Sequence, residues 1–242
     1  MKRALWLSVT LAVVGVIGWL IFRQSQRPAH SLPPKPRTVD DVMAVLSPML
    51  EPLWKKRFAR AELSYPPAAL TLVALKKEQL LEIYATDSQN KTRLVHRYPI
   101  LAASGEAGPK YREGDRQVPE GFYRISLLNP NSSYHLSLRV NYPSNEDVAQ
   151  AREDQRDISN LGGDIMIHGS FFSTGCLAMG DPAAEEIFFL AARTGLDPIS
   201  VLIAPWDLVK SDSVPPNQPD WMQERYQRLR TAIGEIRQKT KS

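Results

Sequence analysis

The chain has 242 residues, 43% hydrophobic and 23% charged, enough for one domain of ordinary size with a sizeable buried core and flanking segments. Its formal charge of +4 comes from the ends: Lys2, Arg3, Arg23 and Arg27 stand in the first 30 residues with no acid, and beyond them bases and acids balance. A folded domain without a basic stripe excludes nucleic acid as a partner. Residues 4–22 are apolar apart from Ser8 and Thr10 and carry no charge. At about 1.5 Å per residue the run reaches roughly 28 Å, the thickness of a bilayer's hydrocarbon core. It is long for a signal peptide and lacks a small-residue cleavage pair, so residues 1–22 read as an uncleaved inner-membrane anchor. Segment 23–37 (RQSQRPAHSLPPKPR) is polar, basic and proline-rich, the composition of a semi-rigid tether.

Thr38 opens a capping box with Asp41, and Val39, Val42, Met43, Val45 and Leu46 give a short helix that Pro48 and Pro52 end or kink. A second helical piece over 53–63 completes an N-terminal helical segment, 38–67. From there the texture turns to strands, expected over 70–75, 79–85, 93–103, 122–128 and 134–142. In the last of these Leu136, Leu138 and Val140 alternate with Ser137 and Arg139, which marks one buried face. Ser144 with Asp147 caps a charged helix to about residue 157, and a strand follows over 164–167. The helix 181–194 has Asp181 as its N-cap, Pro182 at the first helical position and Gly195 just past its end. A strand over 200–204 precedes the C-terminal stretch 206–242. There Trp221, Met222, Tyr226, Leu229, Ile233 and Ile236 recur at steps of three and four, an amphipathic helix expected to pack on the domain. The fold class is mainly β with flanking helices (α+β).

Chemistry concentrates in 165–181. His168 closes an apolar strand, and Cys176, the single cysteine, follows in a Ser/Thr/Gly-rich loop before a helix. A lone cysteine forms no intrachain disulfide; it is either a packed thiol or a functional one. A neighbouring imidazole takes the thiol's proton and raises the thiolate fraction, and amides at Gly175 and Cys176 are placed for an oxyanion hole. On spacing alone His168 is equally a satisfied residue at a strand end. Lys110 and Arg112, in a glycine-rich loop, read either as carboxylate-binding donors or as a solvated loop. His135 reads as structural first and as facing the site second. No third ligand stands at zinc spacing beside His168 and Cys176, which argues against a zinc site.

His168-Gly169 followed by Ser173-x-Gly175-Cys176 resembles the signature of the L,D-transpeptidase (YkuD-type) catalytic domain. So does the segment Gly108-Pro109-Lys110-Tyr111-Arg112-Glu113-Gly114-Asp115, continued by Val118-Pro119-Glu120-Gly121-Phe122-Tyr123. The short His-to-Cys interval and Ala178-Met179 are most similar to the YafK-like branch. The resemblance covers roughly 68–205 and implies a β-sandwich-like catalytic domain. It also implies Cys176 as nucleophile, His168 as general base, Ser173 orienting His168 through its backbone carbonyl, and Gly175 in the oxyanion hole. The implied reaction is attack on a peptide carbonyl beside diaminopimelate, giving a thioester that an amine or water resolves. Peptidoglycan stem peptides are the implied partner, with a wall-attached lipoprotein where water is the acceptor. No metal or cofactor is implied. A non-catalytic wall-binding module is the competing class. Thr174 replaces a second histidine common in the family and is placed on the substrate side. Ala178 replaces a common arginine, so donor preference does not carry over.

Overall fold

The computed structural model describes residues 29–211 and 213–240. The expected anchor lies outside these, as do residues 23–28 of the tether. Among the described residues no helix is long and apolar enough to cross a membrane.

Helix α1 (Val39–Arg60) begins at the expected capping box, Thr38 with Asp41. It then runs unbroken for 22 residues through Pro48 and Pro52. The expected break is therefore corrected. Val42, Leu46, Leu50, Trp54 and Phe58 recur every fourth residue and are all buried, so one face of the helix is continuous core. A proline inside a helix costs about 3 kcal/mol, and burying five large apolar side chains at about 1.5–3 kcal/mol each outweighs two of them.

Strands β1 (Ala69–Leu75), β2 (Leu80–Thr86) and β3 (Thr92–Pro99) form an antiparallel meander close to the expected ranges. The remaining strands are β4 (Ala102–Ala103), β5 (Gly121–Asn129), β6 (Ser137–Val140), β7 (Met166–His168), β8 (Leu177–Ala178) and β9 (Ile199–Ala204). They join one nine-stranded order, β3-β2-β1-β9-β5-β6-β7-β8-β4. The sandwich expected from the resemblance is thus a single strand path that bends. Strand β5 makes the bend: Gly121 to Arg124 pair with β9, and from Ile125 the strand pairs with β6, with a register shift between Ile125 and Leu127.

Helix α2 (Asn145–Glu153) has the expected Ser144/Asp147 capping box. Helix α3 (Asp181–Thr194) has the expected range, but Gly180 is its N-cap and Asp181 its first residue. With α1 it covers one face of the sheet. Helix α4 (Asp220–Lys239) covers the other face of the meander, where Met222, Tyr226, Leu229 and Ile233 meet Val73, Leu75, Tyr84 and Leu202. It is pinned by a buried network. Tyr226 donates to Glu120 Oε2 at 2.6 Å, Lys76 Nζ reaches Glu120 Oε1 at 2.8 Å, and Arg225 pairs with Asp147 at 2.8 Å.

Candidate functional site

Two very short strands set the thiol and the imidazole on one face; no hydrogen bond joins the two side chains among the described residues. β7 and β8 pair in parallel, with Ile167 opposite Leu177 and His168 opposite Ala178. Ile167 and Leu177 point into the core with no exposure. Alternation then puts His168 and Cys176 on the other, shared face. Continuing the register sets Cys176 opposite Met166, one strand over and two residues back from His168.

Each partner is held locally. His168 is 2% exposed, and its Nδ1 bonds the carbonyl of Gly169. With that nitrogen donating, the neutral ring keeps its lone pair on Nε2, the nitrogen left to take a proton. Tyr134 lies against the same ring, centroids 4.7 Å apart and tilted by 31°. The half-buried Cys176 thiol accepts from the Met166 amide at 3.4 Å and donates to the Asp164 carbonyl at 3.6 Å.

The electrostatics set a resting pair in which both groups are neutral. Burial holds His168 below its ordinary value, opposed by its bond to the Gly169 carbonyl and by the Asp181 charge. Burial also pushes the Cys176 thiol up, as does Asp164; the Met166 amide and the Lys110 charge pull it down. The expected rise in thiolate fraction is therefore absent from the resting site.

Several expected roles change. Ser173 does not hold His168, since the acceptor for Nδ1 is Gly169. The Ser173 hydroxyl instead closes the cysteine turn, accepting from the Cys176 amide at 3.0 Å and donating to the Cys176 carbonyl at 2.6 Å. That occupies one of the two amides expected to bind an oxyanion, and the Gly175 amide has no acceptor among the described residues. Gly175 sits at φ 118°, a conformation that a side chain would strain. Lys110 is buried and committed to its own loop: its Nζ meets Asp115 Oδ1 at 2.6 Å and the Arg112 carbonyl at 2.8 Å. It shapes the loop and is not presented to a substrate carboxylate. The Arg112 and Thr174 side chains are exposed. His135 is tied to the buried Glu185, its Nε2 2.7 Å from that carboxylate, and it also lines a cleft. Asp181 reaches back from α3 to accept from the Ser170 amide at 2.7 Å.

The cleft, of about 520 Å³, is lined among others by Tyr134, His135, Ser170, Phe171, Met179 and Asp181, and neither His168 nor Cys176 is among its lining residues. Sequence reasoning missed Tyr134 and the reason for Gly169. A Cβ on Gly169 would lie 2.8 Å from the Tyr134 carbonyl and 2.9 Å from the His135 Cβ. The signal was the His-Gly pair itself, a glycine where two backbones nearly touch.

The sequence profile of the L,D-transpeptidase catalytic domain (YkuD) matches residues 70–201. Two curated relatives from two strains of Escherichia coli, each named "Putative L,D-transpeptidase YafK", are 36% identical over 115 residues, 47% of this chain and 43% of theirs. The chain thus spans less than half the length of the curated relatives it matches. Among solved structures, the helical cell shape determining protein Pgp2 of Campylobacter jejuni (K307A mutant) aligns with a TM-score of 0.45 and 22% identity, over 63% of this chain and 53% of that one. Bd1075 of Bdellovibrio bacteriovorus aligns with a TM-score of 0.40 and 16% identity, over 71% and 57%.

Proposed function

The chain belongs to the L,D-transpeptidase catalytic-domain family, and from that premise we propose that it transfers acyl groups of peptidoglycan stem peptides through a thioester on Cys176. The observation that carries the reading is the shared face of β7 and β8, with His168 Nδ1 tied to the Gly169 carbonyl and Nε2 left as acceptor. As Cys176 Sγ attacks a carbonyl beside diaminopimelate, its proton passes to His168 Nε2. The tetrahedral oxyanion meets the Gly175 amide. The C–N bond breaks, and His168 returns the proton to the leaving amine. An acceptor amine then attacks the thioester carbonyl and gives its proton to His168; the C–S bond breaks, and His168 passes that proton to Sγ, restoring the thiol.

A neutral resting pair supports this order, since the thiol stays protonated and inert until a carbonyl arrives. The apolar run 4–22 supports an inner-membrane anchor; bases flank it on both sides and set no orientation, so a periplasmic domain follows from the proposed wall substrate. Fractionation with N-terminal sequencing tests that placement: the expected result is inner-membrane protein that keeps Met1, and a start near residue 30 overturns it.

The activity is tested by supplying a tetrapeptide muropeptide with and without a D-amino-acid or diaminopimelate acceptor and weighing the products. Exchanged termini or dimers are the expected result. Cleavage with no exchange at any acceptor concentration would replace transfer by hydrolysis, the route by which a wall-attached lipoprotein would be released. In parallel, a carbapenem should add one drug mass to the wild type and none to Cys176→Ala.

A further inference from the structure

The last part of the tether does not hang free. Arg37 lays its guanidinium across the turn that carries Tyr134. Nε donates to the Pro130 carbonyl at 2.8 Å and Nη2 to the His135 carbonyl at 3.1 Å, so one side chain joins both ends of the turn. Nη1 donates to the Pro33 carbonyl at 2.9 Å, fixing the side chain to its own segment. The Arg37 amide and carbonyl meet the Asn131 side chain at 2.9 and 2.8 Å. Lys35 bonds the Ser132 carbonyl between them. A few residues earlier His30 meets the buried Glu185, whose other oxygen holds His135. Segment 30–37 is thus fastened directly to the turn at its Arg37 end and, at its His30 end, to Glu185 of α3, which also holds His135 of the turn.

This attachment matters because of what the turn does. Tyr134 is 49% exposed yet lies on a histidine that is 2% exposed, so the ring is a cover whose position only the turn secures. His135 adopts φ 70°, an unfavourable left-handed conformation that outside contacts must hold. A guanidinium suits the task because its planar fork reaches several carbonyls at once, which an ammonium at the end of a flexible chain does not.

We propose that segment 30–37 is a positioning element of the active site, with Arg37 as the positioning residue that staples the 130–135 turn and keeps Tyr134 on His168. The proposal rests on the reading of His168 as the base. It makes the tether part of the site, although the family match begins only at residue 70.

The test uses the full chain labelled with 15N at histidine, reading the tautomer and titration of His168 by imidazole NMR, with kcat and KM from muropeptide turnover. In wild type the Nδ1–H tautomer should dominate, and His168 should titrate below an ordinary histidine. Arg37→Lys keeps the charge and loses the bridge; it should move the titration toward the ordinary value and mix the tautomers. Its kcat should fall about tenfold with little change in KM, the scale of a modest misplacement. Tyr134→Ala should do the same, and Tyr134→Phe, which keeps the ring, should restore the wild-type signature. Tyr134 is half exposed, so its variants report even if Arg37 variants fold poorly. An unchanged His168 signature in Arg37→Lys or in Tyr134→Ala overturns the proposal. Full turnover in His168→Ala would instead sink the reading of the base, which the NMR arm does not depend on.

Discussion

At the scale of single residues, the site is a neutral pair whose two shifts run in opposite directions for one reason: burial favours the uncharged form of each. His168 binds its proton less readily folded than unfolded. Its contribution to stability is therefore intact above the ordinary histidine range and falls as pH drops from about 6.5 toward its lower folded value. Denaturant melts between pH 7 and 5 should show wild type losing more stability than His168→Asn; parallel curves would refute the shift. For Cys176 the sign is reversed. Iodoacetamide should alkylate the resting thiol more slowly at neutral pH than a free cysteine, with the rate still climbing above the ordinary thiol range. A thiolate already formed at pH 7 would contradict the raised value. Ser173→Ala removes both bonds that close the cysteine turn, at about 1 kcal/mol each. It should lower kcat by misplacing Sγ while leaving the His168 titration where it is.

At the scale of elements, local signals were reliable where the cause is local. Both capping boxes, the helix after Gly180 and the C-terminal amphipathic stripe all appear as expected, because each is set by contacts within a few residues. The misses have non-local causes. Helix α1 runs on through two prolines with its whole stripe buried in the core it shares with α3 and the sheet. Strands β4 and β8, two residues each, exist only as neighbours of other strands. In the site the same division holds: the His-Gly and Ser-x-Gly-Cys spacings mark the chemistry. The role of Ser173, the burial of Lys110 and the cover by Tyr134 depend on which loops meet in space. Pro48 is exposed, so Pro48→Ala restores a helix amide without touching the core and should raise stability by about 1–3 kcal/mol. A loss on denaturant unfolding would mean that the proline shapes the packing. Trp54 is fully buried and donates to the Glu186 carbonyl at 3.1 Å, so Trp54→Ala should cost about 3–5 kcal/mol.

At the scale of the whole molecule, β9 joins the two arms of the sheet. It pairs in parallel with β1 on one side and antiparallel with β5 on the other. No sequence signal announces this arrangement, because its partners lie about 130 and 80 positions upstream. In a chain synthesised from the N-terminus, the central strand of this sheet is the last to be made. Until residue 199 has emerged, β1 keeps an unpaired edge and the arm bearing His168 and Cys176 has no lateral link to the meander. Such late, long-range closure is slow and leaves an adhesive edge in the meantime. The nascent domain is therefore a natural client for holding factors, and a chain released just before Ile199 should be cleaved by protease throughout rather than at its ends.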